Sequence, residues 1–377
     1  MFLKSWHAVL LPVVFFISVS LCLSQTVEQA QQLQARGDWK GAEQTWRALL
    51  ERAPQDYRLW SSLGIALSHQ ERYMEAIAAY RKALAIRPKD AQTELNLGIA
   101  YFKSGKLPQA IAPLRSAAAA FGDNAQIDTL LGMSLFGTGK YSEAATHLQR
   151  ASTADPGNTD LEQVLAQSYL YGRQYEKAKL EFERMLVRNP DSVNVHMLLG
   201  EAYDASGQLE PAIKEFQTAA QKGDLPNLHF GLGYLLWKDR KYDQAEAEFG
   251  KELHTDPQNY QALAYLGDIL IKRGATEEAR KCLRRSIAIH DSIWLTHFHL
   301  GVMAQEEKRY GDAITELRRA VALNGSRPEP HYRLAQVLKA TGQTKAAQRE
   351  LAQVAKLHER KDEDLIHKIT GAAAPAP

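Results

Sequence analysis

The sequence predicts an all-α fold, a solenoid of about ten helix–turn–helix repeats, and three observations carry that prediction. A motif of 34 residues recurs from about residue 23 to residue 361. One position of it is alanine in every copy: Ala42, Ala76, Ala110, Ala144, Ala178, Ala212, Ala245, Ala279, Ala313 and Ala347. Apolar residues fall at the i, i+3, i+4, i+7 spacing of an amphipathic helix, with a turn residue midway through each copy. Length alone would suggest two or three domains for 377 residues. Stacked repeats share one extended core, so a single continuous array is expected instead.

The first element is a targeting segment. Lys4 is the only formally charged residue before Glu28, and Ala8 to Leu23 is apolar apart from Ser18, Ser20 and Cys22. Residues 1–24 therefore read as a secretory signal peptide cleaved after Ser24, with Cys22 and Ser24 as the small residues at −3 and −1. Two other readings stand beside it, an uncleaved membrane anchor and a lipoprotein modified at Cys22. Against the second, Leu21 occupies the place where a lipobox resembles a sequence with Gly, Ala or Ser. All three export the remainder, to the periplasm or the exterior, free or membrane-anchored. Cleavage leaves Cys282 as the one thiol of the mature chain, without a disulfide framework.

The repeats span residues 25–361. Units start at about 23, 57, 91, 125, 159, 193, 226, 260, 294 and 328, so the unit at 193 is one residue short. The signal truncates the first helix of the first unit to about Thr26–Arg36. Position 8 of each unit is Gly64, Gly98, Gly132, Gly200, Gly233, Gly267 or Gly301, with alanine in the other three. Small residues at positions 8 and 20 let two helices cross closely. Gly37, Gly105, Gly139, Gly207, Gly274 and Gly342, at position 15, suit a left-handed turn after the first helix. Tyr73, Tyr141, Tyr175, Tyr242 and Tyr310 open the second helix at position 17. Pro54, Pro88, Pro156, Pro190 and Pro257, at position 32, end it. The unit at 193–225 ends instead in Lys222-Gly223-Asp224, where a local change of twist is expected.

This pattern resembles the tetratricopeptide repeat (TPR) family, over nearly the whole chain beyond the leader. The resemblance implies a right-handed superhelix whose first helices line a concave groove. After the array, residues 362–371 are expected as a polar capping helix and residues 372–377 as a disordered tail.

Composition and motifs argue against catalysis. Lys and Arg number 46 against 44 Asp and Glu, a net charge of +2 that supplies no basic surface for nucleic acid. Gly137-Thr-Gly139-Lys140 has Ser134 at the first glycine position of a phosphate loop, and Gly231-Leu-Gly233 has Leu236 at the third of a dinucleotide fingerprint. Both fragments sit in predicted helical hairpins without the required strand. His196, His229, His297 and His331 share position 4, which is Trp60 in the best unit, so they read as core-edge aromatics. His297 and His299, two apart on a helix, point to different faces. HExxH, CxxC and GxSxG do not occur. No enzyme activity, cofactor or metal is expected.

The groove is where function is expected. At about 100° per residue, positions 4, 7, 8 and 11 of the first helix face its partner, while positions 2, 5, 9, 12 and 13 face away. The candidate protein-binding residues are therefore Phe102, Met133, Phe136 and Tyr171, then Met197, and then Phe230, Tyr234, Trp237 and Lys238. Lys103, Leu170, Glu201 and Asp204 occupy the same positions. Aromatics and methionine are typical anchors for peptides and helices, although neighbouring helices could cover them equally well. The clamp with which some TPR proteins hold acidic C-terminal tails is missing, since only Asn96 matches it and Ile65, Gln126 and Leu130 replace other members. The sequence thus points to an exported, non-catalytic scaffold binding a peptide or protein segment. The alternative is an inner-membrane-anchored assembly factor that recruits envelope or secretion enzymes.

Overall fold

The computed structural model describes residues 26–370, with side chains described up to residue 359. The expected signal peptide and the C-terminal tail lie outside the described residues. All regular structure among the described residues is helical, with 20 helices and no strand.

The chain divides at Arg188 into two compact units. In the first, α1 (residues 26–35) is followed by α2 (Trp39–Arg52), α3 (Tyr57–His69) by α4 (Tyr73–Ile86), and α5 (Ala91–Lys103) by α6 (Leu107–Phe121). There α7 (Ala125–Gly137) then precedes α8 (Tyr141–Ala154), and α9 (Thr159–Tyr171) precedes α10 (Tyr175–Arg188). The second opens with α11 (Val193–Ala205) and α12 (Leu209–Lys222), then α13 (Leu228–Lys238) and α14 (Tyr242–Thr255). It continues with α15 (Tyr260–Lys272) and α16 (Thr276–Ile289), α17 (Trp294–Glu306) and α18 (Tyr310–Leu323), and α19 (Pro328–Ala340) and α20 (Thr344–Thr370). The segment expected as a separate cap is helical and continues α20 without a break.

Local chemistry sets these boundaries. Asp56, Asp90, Asn124, Asn158, Ser192 and Asn259 each accept from an amide of the helix they precede, so most first helices begin on a side-chain cap. Between the two helices of each unit the chain turns in the left-handed region. The six position-15 glycines have φ between 72 and 81°. Glu71, Arg173, Arg240 and Lys308 occupy the same place with φ of 59–61°, a conformation that strains any residue with a Cβ. Glu71→Gly is accordingly expected to stabilise the first unit by about 0.5 kcal/mol, read as a raised urea midpoint with unchanged slope.

Packing within a repeat is closest at position 8. A Cβ on Gly64 would stand 2.4 Å from the Tyr80 ring, and one on Gly301 would stand 2.7 Å from Leu317. The partner is thus the large side chain at position 24. The invariant alanine of position 20 offers mainly its backbone, as where Ala245 O lies 3.3 Å from the place of a Cβ on Gly233. A methyl at position 20 keeps the second helix near enough for position 24 to fill the notch. Ala178, Ala212 and their equivalents are accordingly fully buried.

The position-4 histidines sit where the sequence places them, at the edge of the core. Trp60 Nε1 donates to Pro54 O at 2.8 Å, while His196 Nε2 donates to Pro190 O at 3.0 Å and His331 Nε2 to Gly325 O at 3.2 Å. The acceptor is the equivalent carbonyl, six residues back, in all three. Each histidine Nδ1 meets a glutamate of the second helix: Glu215 (2.7 Å), Glu248 (2.6 Å), Glu316 (2.6 Å) and Glu350 (2.5 Å). In the fourth repeat the pair is reversed, with Asp128 at position 4 and His147 on the second helix at 2.7 Å.

His297 lies between two carboxylates, Glu316 and Asp291, with Arg319 bonded to Asp291. Burial alone would lower its pKa, but the bonds and charges of Glu316 and Asp291 outweigh burial and raise it above 6.5. A raised folded-state value means the contribution to stability is complete below pH 6.5 and is lost as pH rises through the folded-state value. His297→Gln should therefore flatten the fall in denaturation midpoint between slightly acid and slightly alkaline pH. A wild-type midpoint constant over that range would refute the assignment.

The end of the short sixth repeat, singled out in the sequence, and the start of the seventh depart from the regular pattern. Gly223 is extended, Asn227 is left-handed at φ 66° and does not cap, and α13 starts at Leu228 with 11 residues, whereas α11 and α15 have 13. A residue from the following helix supplies the missing cap. The amide of Phe230 donates to the buried carboxylate of Glu252 at 3.0 Å, and Asn259 Nδ2 donates to the other oxygen at 2.9 Å.

Candidate protein-interaction face

The candidate residues belong to two separate faces, one in each unit. In the first unit, Met133 and Tyr171 remain 37% and 44% exposed, whereas Phe102 and Phe136 are half-buried. Phe136, Tyr171 and Tyr141 form a ring cluster with centroid separations of 5.5 Å (Phe136–Tyr141), 6.2 Å (Phe136–Tyr171) and 5.3 Å (Tyr141–Tyr171). Sequence reasoning saw Tyr141 only as the opening residue of α8, yet it is the hinge of this cluster. Leu170, placed on the outward face by its position, is core instead at 5% exposure. A helix of 3.6 residues per turn makes the edge between inward and outward faces fall within one residue, and Leu170 lies on the inner side of it.

The second unit carries the larger aromatic array. Phe230, Tyr234 and Trp237 run along α13 as a ridge with centroid separations of 6.3 and 6.1 Å. All three are half-buried, because Tyr265 of α15 stands against them at 6.2, 5.3 and 4.9 Å from Phe230, Tyr234 and Trp237. Met197 is half-buried against the same core. Lys238 is exposed, pairs with Asp204, and holds its ammonium 5.7 Å from the centroid of Tyr234. The ridge is therefore partly a packing element, and its most committed member is Trp237.

That commitment centres on Asp268, a residue the sequence did not single out. Asp268 is 2% exposed and accepts from Trp237 Nε1 at 2.6 Å, from His299 Nε2 at 2.7 Å and from Lys272. Burial alone would raise its pKa. The bonds from His299, Lys272 and Trp237 outweigh burial and hold the value at about 2, so the group is an anion throughout the physiological range. Its donors come from α13, α15 and α17, which ties three successive repeats together. The separation of His297 from His299 holds, since the former faces Glu316 and Asp291 and the latter Asp268.

Other groups bear on chemistry only weakly. Burial raises the pKa of the half-buried Cys282 thiol, which disfavours the thiolate. Among the described residues no group of three or more His, Cys, Asp or Glu could hold a metal ion, and no helix is long and apolar enough to cross a membrane.

Comparison with known proteins follows this architecture. One tetratricopeptide repeat family model matches residues 27–91, 95–159, 164–225 and 230–293, and a second matches 135–192 and 304–366. No curated protein matches the chain. Among solved structures, the chain is similar to one in the APC/C hetero-tetramer Cut9-Hcn1, at 12% identity over 87% of this chain and 86% of that one, with a TM-score of 0.52. It is also similar to MamA, at 26% identity over 42% of this chain and 94% of that one, with a TM-score of 0.36. A MamA fragment from Desulfovibrio magneticus RS-1 shares 22% identity over 46% of this chain and 97% of that one, with a TM-score of 0.40. The matched repeats cover more than half of the sequence, and the chain belongs to the tetratricopeptide repeat family, whose fold serves as a scaffold for protein–protein interaction.

Proposed function

We propose that the chain is an exported, non-catalytic scaffold that holds a peptide or protein segment in the groove lined by its first helices. The observation that carries this reading is the set of apolar side chains on outward positions of those helices. Met133 and Tyr171 in the first unit are exposed, while Met197, Phe230 and Tyr234 in the second are half-buried. Apolar groups in such places favour a partner that removes them from water. The near-neutral net charge of +2 favours a protein over a nucleic acid.

Export rests on the leader-like first 24 residues and the single remaining cysteine. The periplasm is the setting most consistent with both. The test has two parts. Protein recovered from the envelope fraction of the producing cell is expected to have a mature N-terminus near Gln25 by intact mass, and a retained leader would favour the anchored reading. A partner captured on the full chain should be released when Tyr171 or Tyr234 is replaced by alanine in a folded variant. Retention by both variants would move the site to another surface.

A further inference from the structure

We infer that the groove of the second unit takes a basic peptide segment, one that presents a lysine or arginine to Glu201 and Tyr234 and an apolar neighbour to Met197 and Phe230. This rests on the groove reading above and adds the chemistry of the occupant.

Two carboxylates near Glu201 on this face are neutralised from within. Asp204 pairs with Lys238, and Asp268 is held by Lys272, His299 and Trp237. Glu201 has no cation within ion-pair distance among the described residues. It is accessible to solvent, yet the surrounding protein desolvates its carboxyl group enough to raise the pKa.

Helical register places the aromatic partner. Asp204 of α11 meets Lys238 of α13. One turn back along the same two helices lie Glu201 and Tyr234, with Met197 and Phe230 a further turn back. The Tyr234 hydroxyl has no hydrogen-bond partner among the described residues although its ring is half-buried, so an acceptor and donor stand beside the unpaired carboxylate. A cation between a carboxylate and an aromatic face gains from both. The unit uses this arrangement on itself: Lys238 bonds Asp204 and lies 5.7 Å over Tyr234, while Lys272 bonds Asp268 and lies 5.5 Å over Tyr242. An acidic segment would meet an uncompensated negative charge at the same point.

The experiment is affinity selection of a random octapeptide library on the purified full chain at physiological salt. Glu201→Gln and Tyr234→Ala are selected alongside, each checked for native helicity. The bound pool from the wild type should be enriched about tenfold in Lys and Arg relative to Asp and Glu. Glu201→Gln should abolish that enrichment while still retaining peptides, and Tyr234→Ala should reduce retention itself. Basic enrichment unchanged in Glu201→Gln, or a wild-type preference for acidic or neutral peptides, would overturn the inference and leave the groove reading intact. Absence of retention by the wild type, or retention indifferent to both substitutions, would overturn the groove reading and this inference with it.

Discussion

Replacing Asp268 by alanine is expected to lower the stability of the second unit by about 3 kcal/mol, the largest effect of any single polar substitution in it. The substitution strands three donors at once. Trp237 Nε1 and His299 Nε2 lose their acceptor in a region that water reaches poorly, while Lys272, about two-fifths exposed, can turn to solvent. The depression of its folded-state pKa to about 2, against the ordinary 3.8, corresponds to about 2 kcal/mol in favour of the ionised form. Because the folded value is depressed, that part is present above pH 3.8 and is lost as pH falls through about 2. Asp268→Asn should retain an acceptor but lose the acid dependence. Urea midpoints at neutral pH and near pH 3 separate the two variants. If Asp268→Ala unfolded at the wild-type midpoint, the network would carry no energetic weight.

Trp237→Ala is expected to cost about 3 kcal/mol of stability and to reduce partner affinity as a consequence, whereas Tyr234→Ala should cost about 1 kcal/mol and reduce affinity directly. The difference comes from what each ring touches. Trp237 stacks edge-on against Tyr265 at 4.9 Å and donates to buried Asp268, so its removal opens a cavity and takes one of the three donors from that carboxylate. Tyr234 contacts the same Tyr265 at 5.3 Å but makes no hydrogen bond within the described residues, so more of its surface energy is available to a ligand. Thermal midpoint and partner affinity, measured on both variants, would show opposite rankings. Equal loss of fold in the two would make the whole ridge a packing element. Equal affinity with intact folds would remove it from the binding site.

Much of the architecture was legible because it is local. A left-handed turn, a side-chain cap and a proline stop act over four or five residues, and the helices that open at Tyr73, Tyr141, Tyr175, Tyr242 and Tyr310 begin at the residue the repeat assigns. The departure at 193–225 was also visible, as a missing residue and a Lys-Gly-Asp ending. Its repair was not visible, because Glu252 lies 22 residues beyond the amide it caps and carries no local signal of that role. The candidate face was legible only in outline. Helical periodicity distinguished inward from outward positions, but it misassigned Leu170 and gave Trp237 the same standing as Tyr234.

The sequence by itself determined the repeat, its phase, the placement of turns and most caps and most of the residues buried within each hairpin, since these follow from contacts inside one 34-residue period. Only the tertiary structure decided which outward residues are engaged by the next repeat. Trp237, Asp268 and His299 come from three different repeats and meet at 2.6–2.7 Å, and His299 and Asp268 are 31 residues apart in the chain. The physical reason is that a hairpin's own periodicity encodes its internal face, whereas the contact between hairpins depends on the angle at which they stack, and that angle is set by the summed packing of all of them.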